Sequence, residues 1–126
     1  MPKKPMVVLT EAMLYVLMAF QNGEMCGIDI ADYIERLTEG RVQIGPATLY
    51  TVLGKFEKEK YIKETSVEGR KRTYVITDKG RSAYRAELIR LNKCLEDAEK
   101  MPASRRDEYD VRDGEAISAA DPVPGL

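Results

Sequence analysis

Three consecutive cations, Arg70, Lys71 and Arg72, follow a Glu68-Gly69 pair inside a stretch rich in β-branched and aromatic residues. Like charges crowded at a turn repel one another, so such a group suits an anionic partner with closely spaced charges, as a phosphate backbone has. A second candidate set lies upstream in IGPATLYTVLGKFEKEKYI, residues 44–62. There Leu49, Val52, Leu53 and Phe56 recur at i, i+3, i+4 and i+7, the spacing of one apolar helix face. The opposite face carries Ala47, Thr51, Lys55 and Lys58, with Thr48 and Tyr50 on its flanks. Short side chains let a helix backbone come close to a ligand, and lysines further along can neutralise phosphates. The chemistry that these residue types support is recognition of nucleic acid.

Bond-making chemistry has little to work with. The chain has no histidine, which removes the commonest general base and metal ligand. It has no G-x-S-x-G, Walker-type or G-x-G-x-x-G pattern. Carboxylates and lysines remain, so a small carboxylate-dependent enzyme is a distant rival, and the expectation is no enzyme and no cofactor. Cys26 and Cys94 stand far apart without metal-ligand spacing. Both are expected to be free, buried and small in a reducing compartment.

The net charge of −1 hides an uneven distribution. Residues 41–81 hold ten Lys/Arg against five Asp/Glu, a net of +5; residues 10–40 hold one against six, and residues 96–126 four against nine, each a net of −5. Exposed charges are screened beyond about 10 Å, so the local excess is what a phosphate feels. At 126 residues the chain is one small domain with a modest core, for which dimerisation is a natural extension. Its longest apolar run, Ala12 to Phe20, is nine residues, far short of the roughly 20 that a membrane span needs. The start, MPKKPMVV, lacks an h-region and cleavage site. The expected location is the cytoplasm, with no membrane partner.

The elements that must position the cations follow from periodicity. Thr10 caps a first helix reaching about Gln21, whose AMLYVLMAF run is apolar on every side and so expected between subunits. A second helix runs from Gly27 or Ile28 to Thr38, with Ile30, Ile34 and Leu37 inward and Gly40 ending it. Gly45 and Pro46 start the third. Tyr61–Ser66 and Arg72–Thr77 form a hairpin with Glu68-Gly69 as its turn, and Thr77-Asp78 opens a fourth helix. Along that helix Tyr84, Leu88, Leu91, Leu95 and Ala98 step by 4, 3, 4 and 3, a narrow helix-pairing seam. From Met101 three prolines and many charges read as an acidic tail, with Ala103–Arg112 a candidate helix.

Helix, helix, helix, hairpin, long helix is the order of a winged helix-turn-helix. The fold class is therefore mainly α with a small β-hairpin, plus a C-terminal dimerisation helix. The third helix would enter the major groove while the hairpin forms the wing. The divisions expected are a DNA-binding domain over 1–77, a dimerisation helix over 78–101 and an acidic tail over 102–126.

The segments ATLYTVLGKFEKEKYI and GRKRTYVITDKGRSAY resemble the PadR-like transcriptional regulators, through Thr48, Leu49, Tyr50, Leu53, Glu57, Arg72, Tyr74, Thr77 and Gly80. GIDIADYI, residues 27–34, is similar to that family's glycine-led second helix. The resemblance covers about residues 10–95 and is similar to the short subgroup, which implies dimerisation through the first and last helices. Lys60 stands where the family usually has glycine before the wing, so a different turn is expected there. The chain has no tryptophan, where multidrug-binding members stack planar ligands on one, and Leu91 lies near that place.

The reading is a homodimeric repressor on a pseudo-palindromic double-stranded operator, released by a small-molecule effector or stress signal. DNA contacts fall to Ala47, Thr48, Tyr50, Thr51, Lys55, Lys58, Arg70, Lys71 and Arg72. The dimer interface is expected at Tyr15, Met18, Tyr84, Leu88, Leu91, Leu95 and Ala98. An effector pocket between subunits would use Tyr15, Met18, Tyr84, Leu88 and Leu91. The rival from another class is a winged-helix module that binds protein through the acidic second helix.

Overall fold

A computed structural model describes residues 9–102. Its elements in chain order are α1 (Glu11–Ala19), a 3-10 turn (Phe20–Asn22), β1 (Met25–Cys26), α2 (Gly27–Leu37), α3 (Pro46–Lys58), β2 (Ile62–Glu68), β3 (Lys71–Ile76) and α4 (Asp78–Glu99). The molecule is mainly helical with a small antiparallel sheet, a winged helix.

Thr10 caps α1, its hydroxyl accepting from the Met13 N–H at 3.1 Å. The helix ends sooner than Gln21 because the chain tightens into the 3-10 turn, where the Asn22 side chain donates to the Ala19 carbonyl. Met13, Val16, Leu17, Ala19 and Phe20 are buried in the domain's own core, beside Ile30 and Ile34 of α2 and Leu49, Val52, Leu53 and Phe56 of α3. The apolar run of α1 is therefore mostly consumed within one chain. Leu37, expected inward, is 47% exposed at the last turn of α2, although Ile30 and Ile34 on the same helix face are buried. The candidate helix 103–112 lies outside the described residues.

The hairpin gains a third strand. Two residues, Met25 and Cys26, pair with Tyr74 and Thr73, giving the order β1-β3-β2. The tip also moves by one residue. β2 reaches Glu68 and β3 begins at Lys71, leaving Gly69-Arg70 as a two-residue turn. Only Gly69 of that pair has positive φ, at 62°, the pattern of a type II′ hairpin with glycine first.

The turn into the wing keeps a glycine-like shape without a glycine. Lys60 has φ 63°, and the α3 terminus forms a Schellman motif, with Tyr61 N–H to the Phe56 carbonyl at 2.8 Å and Lys60 N–H to Glu57 at 3.0 Å. The rings of Phe56 and Tyr61 meet at 5.7 Å, the apolar contact that accompanies this motif. Their burial holds the lysine in a left-handed conformation that costs about 1 kcal/mol.

Thr77 then locks wing to helix. Its hydroxyl donates to the Lys60 carbonyl at 2.7 Å and accepts from the Gly80 N–H at 3.1 Å, capping α4. Gly80 is required by close approach: a Cβ there would collide with the Tyr61 carbonyl oxygen and the Ile76 side chain. The spacing Tyr74, Thr77, Gly80 thus encodes a buried strand residue, a cap and a contact without side chain. The chain divides into two compact units, the first ending at Leu88 and the second beginning at Ile89, both within α4. Gly80, Ala83 and Tyr84 belong to the first unit, where Ala83 and Tyr84 pack on its core.

Candidate nucleic-acid interface

α3 splits its residues by face. Leu49, Val52, Leu53 and Phe56 are buried, while Ala47, Thr48, Tyr50, Thr51, Lys55 and Lys58 are all exposed. Gly45 precedes the helix in an extended conformation and Pro46 occupies its first position, where a missing N–H costs nothing. The Thr51 hydroxyl donates to the Ala47 carbonyl at 2.9 Å, which leaves its lone pairs to accept from outside. Ala47, Thr48, Thr51 and Lys55 border a hollow of roughly 330 Å³ shared with Thr10 and Met13 at the start of α1.

Tyr50 leans the other way. It is 63% exposed, and its ring and hydroxyl stand 3.9 Å from where a Gly27 Cβ would be. It forms part of a groove of about 700 Å³ between α3, the start of α2 and the wing. Leu53, Gly54 and Glu57 line it from α3, Cys26 to Asp29 from the start of α2, and Arg70, Lys71, Arg72 and Tyr74 from the wing. The structure thus brings Tyr50 and the wing cations to one groove. Lys55 borders the hollow on the other side of α3, and Lys58 lies at its C-terminal end.

The electrostatics are mixed. Arg72 Nη1 lies 3.2 Å from Glu64 Oε2 across the hairpin, so the wing cations are not all unpaired. Burial, reinforced by the charge of Glu57, pushes the Tyr74 hydroxyl above its ordinary range, with Arg72 opposing. In the turn between α2 and α3, Arg41 donates to the Tyr15 hydroxyl at 2.9 Å, with its guanidinium 6.0 Å from the ring centre. That hydrogen bond raises the arginine further above its usual value.

The sequence signal missed the α2 wall of the groove, because nothing in the helical periodicity of GIDIADYI shows which residues border a neighbouring element. It also missed Arg41, a lone cation in a turn, and the acids Glu57 and Glu64 beside the wing. Cys26 is buried, with its thiol 3.2 Å from Asp29 Oδ2, whereas Cys94, expected buried, is exposed on α4, where its neighbour Leu95 is itself 44% exposed. Among the described residues no group of three or more Cys, Asp or Glu could hold a metal ion, and no helix is long and apolar enough to cross a membrane.

The remaining sites expected from sequence are scattered on helical faces. Tyr15 and Met18 are half-buried on α1, and Tyr84 is half-buried against the core, its hydroxyl pushed upward by burial and then by Tyr33. Leu88 is 38% and Leu95 44% exposed, Leu91 is half-buried and Ala98 is exposed.

Comparison with known proteins matches these features. A transcriptional regulator from Clostridium thermocellum is 26% identical, with a TM-score of 0.63 over 71% of this chain and 90% of that one. Bacillus subtilis PadR in complex with operator DNA is 24% identical, with a TM-score of 0.57 over 64% of this chain and 48% of that one. Bordetella bronchiseptica BpsR, whose DNA binding is regulated by 6-hydroxynicotinic acid, is 18% identical, with a TM-score of 0.59 over 82% and 76%. No curated protein sequence matches. The model of the Transcriptional regulator PadR-like family matches residues 16–86, which span α1 through the first turns of α4 and include the α3 face, the wing and the Tyr74-Thr77-Gly80 lock: the chain belongs to the PadR-like family of transcriptional regulators.

Proposed function

We propose that the protein is a homodimeric, cytoplasmic repressor that binds a pseudo-palindromic operator through α3 and the wing. The observation that carries this reading is the exposed face of α3 from Ala47 to Lys58, beside a wing whose turn and first β3 residues carry Arg70, Lys71 and Arg72. Short residues at the start of the helix allow close approach to base edges, and Lys55 and Lys58 neutralise phosphates further along. Support also comes from the winged-helix relative that is bound to operator DNA. Residues 1–77 act as the DNA-binding domain, 78–101 as the dimerisation helix and 102–126 as an acidic tail. The seam of Tyr84, Leu88, Leu91, Leu95 and Ala98 joins two copies, with Tyr15 and Met18 of α1 beside it, so that two half-sites are spanned together. Release by a small-molecule effector is in keeping with BpsR, and without tryptophan the ligand is small or aliphatic, held between subunits near Tyr15, Met18, Tyr84, Leu88 and Leu91.

The test is binding of duplexes from the adjoining intergenic DNA by wild type and by Thr48→Ala/Tyr50→Ala/Lys55→Ala. The triple variant should keep its melting temperature and lose operator affinity by at least about tenfold, since each base contact contributes roughly 1–3 kcal/mol. Unchanged binding would take α3 out of the interface.

A further inference from the structure

The three wing cations are not equivalent. Arg70 lies in the turn, while Lys71 and Arg72 begin β3. Side chains alternate along a strand, so Arg72 shares a face with Tyr74, which is buried, and Lys71 takes the other. Glu64 is the cross-strand partner of Tyr74 and stands on the same face. A bulge between Glu64 and Ser66 shifts the register, so that Arg72 pairs with Val67 while its guanidinium reaches back to Glu64 at 3.2 Å. Glu57 and Gly54 of α3 lie across the same groove. Arg70 and Lys71, by contrast, are exposed, and their side chains make no hydrogen bond or ion pair among the described residues.

Resting on the DNA-binding reading for where the contacts fall, we infer that Arg72 is a positioning residue. Paired with Glu64 across the two wing strands, it holds the bulged hairpin in shape beside the recognition helix, while Arg70 and Lys71 supply the wing's phosphate contacts. The sign of one substitution separates the roles. If Arg72 contacted phosphate, removing the Glu64 charge would free a cation, lift a repulsion and tighten DNA binding. If Glu64 holds Arg72 in place, the same change weakens binding.

The experiment uses the full chain with Arg70→Gln, Lys71→Gln, Arg72→Gln, Arg72→Lys and Glu64→Gln. Affinity for an intergenic duplex is measured across salt, and amide exchange of residues 67–71 is followed by NMR without DNA. Arg70→Gln and Lys71→Gln should each flatten the slope of log K against log salt by about 0.9, one phosphate's share. Arg72→Gln and Glu64→Gln should change the slope by much less than that and weaken binding by about three- to fivefold at low salt, less as salt screens the partly exposed ion pair. Arg72→Lys should restore most of that loss. In the free protein, Arg72→Gln and Glu64→Gln should speed wing amide exchange alike, and Arg70→Gln and Lys71→Gln should not. Tighter binding by Glu64→Gln, or wild-type exchange rates in both Arg72→Gln and Glu64→Gln, would overturn the assignment. If wild type binds no duplex at any salt concentration, the DNA-binding reading fails and the exchange rates alone decide what Arg72 does.

Discussion

α1 and α4 both carry leucines and aromatics at helical spacing, and they meet opposite fates. In α1, Val16, Leu17 and Ala19 are wholly buried and Met13 nearly so. In α4, Leu88, Ile89 and Leu95 remain 38%, 65% and 44% exposed, and its only buried residues are Gly80 and Glu87. An all-round apolar helix gains its stability inside one chain, because α2 and α3 contact it on several sides. A narrow apolar row on a charged helix leaves its driving force for another helix. Periodicity alone tells how an apolar face is arranged; the number of neighbouring elements decides whether it is spent on folding or left for association.

Substitutions can break that contrast. Leu91→Asp with Leu95→Asp places charges in the proposed seam. The first unit should stay folded while the protein sediments as a monomer, with operator affinity lower by at least about a hundredfold as the two half-sites uncouple. A dimer that persists in sedimentation would move the interface off α4. Leu17→Ala should act oppositely, costing about 3–5 kcal/mol of folding stability through a cavity in a closed core. Its melting temperature should drop by the same amount at every protein concentration, as read by calorimetry.

How much was legible in the sequence follows the same division between local and distant causes. The start and the buried face of α3 could be read to the residue, because Gly45, Pro46 and the i, i+3, i+4, i+7 row act within a few turns of chain. β1 could not, since Met25 and Cys26 carry no strand pattern and become a strand only by pairing with Tyr74 and Thr73, far along the chain. The wing strands were legible, but their turn was placed one residue early because the positive φ falls at the first turn position, on Gly69. The left-handed Lys60 conflicts with local preference and is held by Phe56 and Tyr61. On the interface, the exposed face of α3 was legible from angle alone. The Arg72–Glu64 pair was hidden because it depends on a bulge that shifts the register.

Smaller effects sharpen the account of the joint between wing and α4. Thr77→Ala removes a cap and the hydrogen bond to the Lys60 carbonyl, and should cost about 1–2 kcal/mol in denaturant unfolding. Lys60→Gly should stabilise by about 0.5 kcal/mol, relief of the left-handed strain exceeding the added freedom of glycine in the unfolded chain. A destabilised glycine variant would mean that the lysine stem contributes packing that outweighs its strain.

The central claim is that α3 and the wing form one DNA-binding surface. Its most direct test is an NMR titration of the isotope-labelled protein with a duplex from the adjoining intergenic DNA, following amide shifts at low and high salt. The predicted result is perturbation concentrated at residues 45–58 and 66–73, fading as salt rises, with residues 89–99 unaffected. Perturbation centred on the acidic surface of α2, or none that depends on salt, would contradict it.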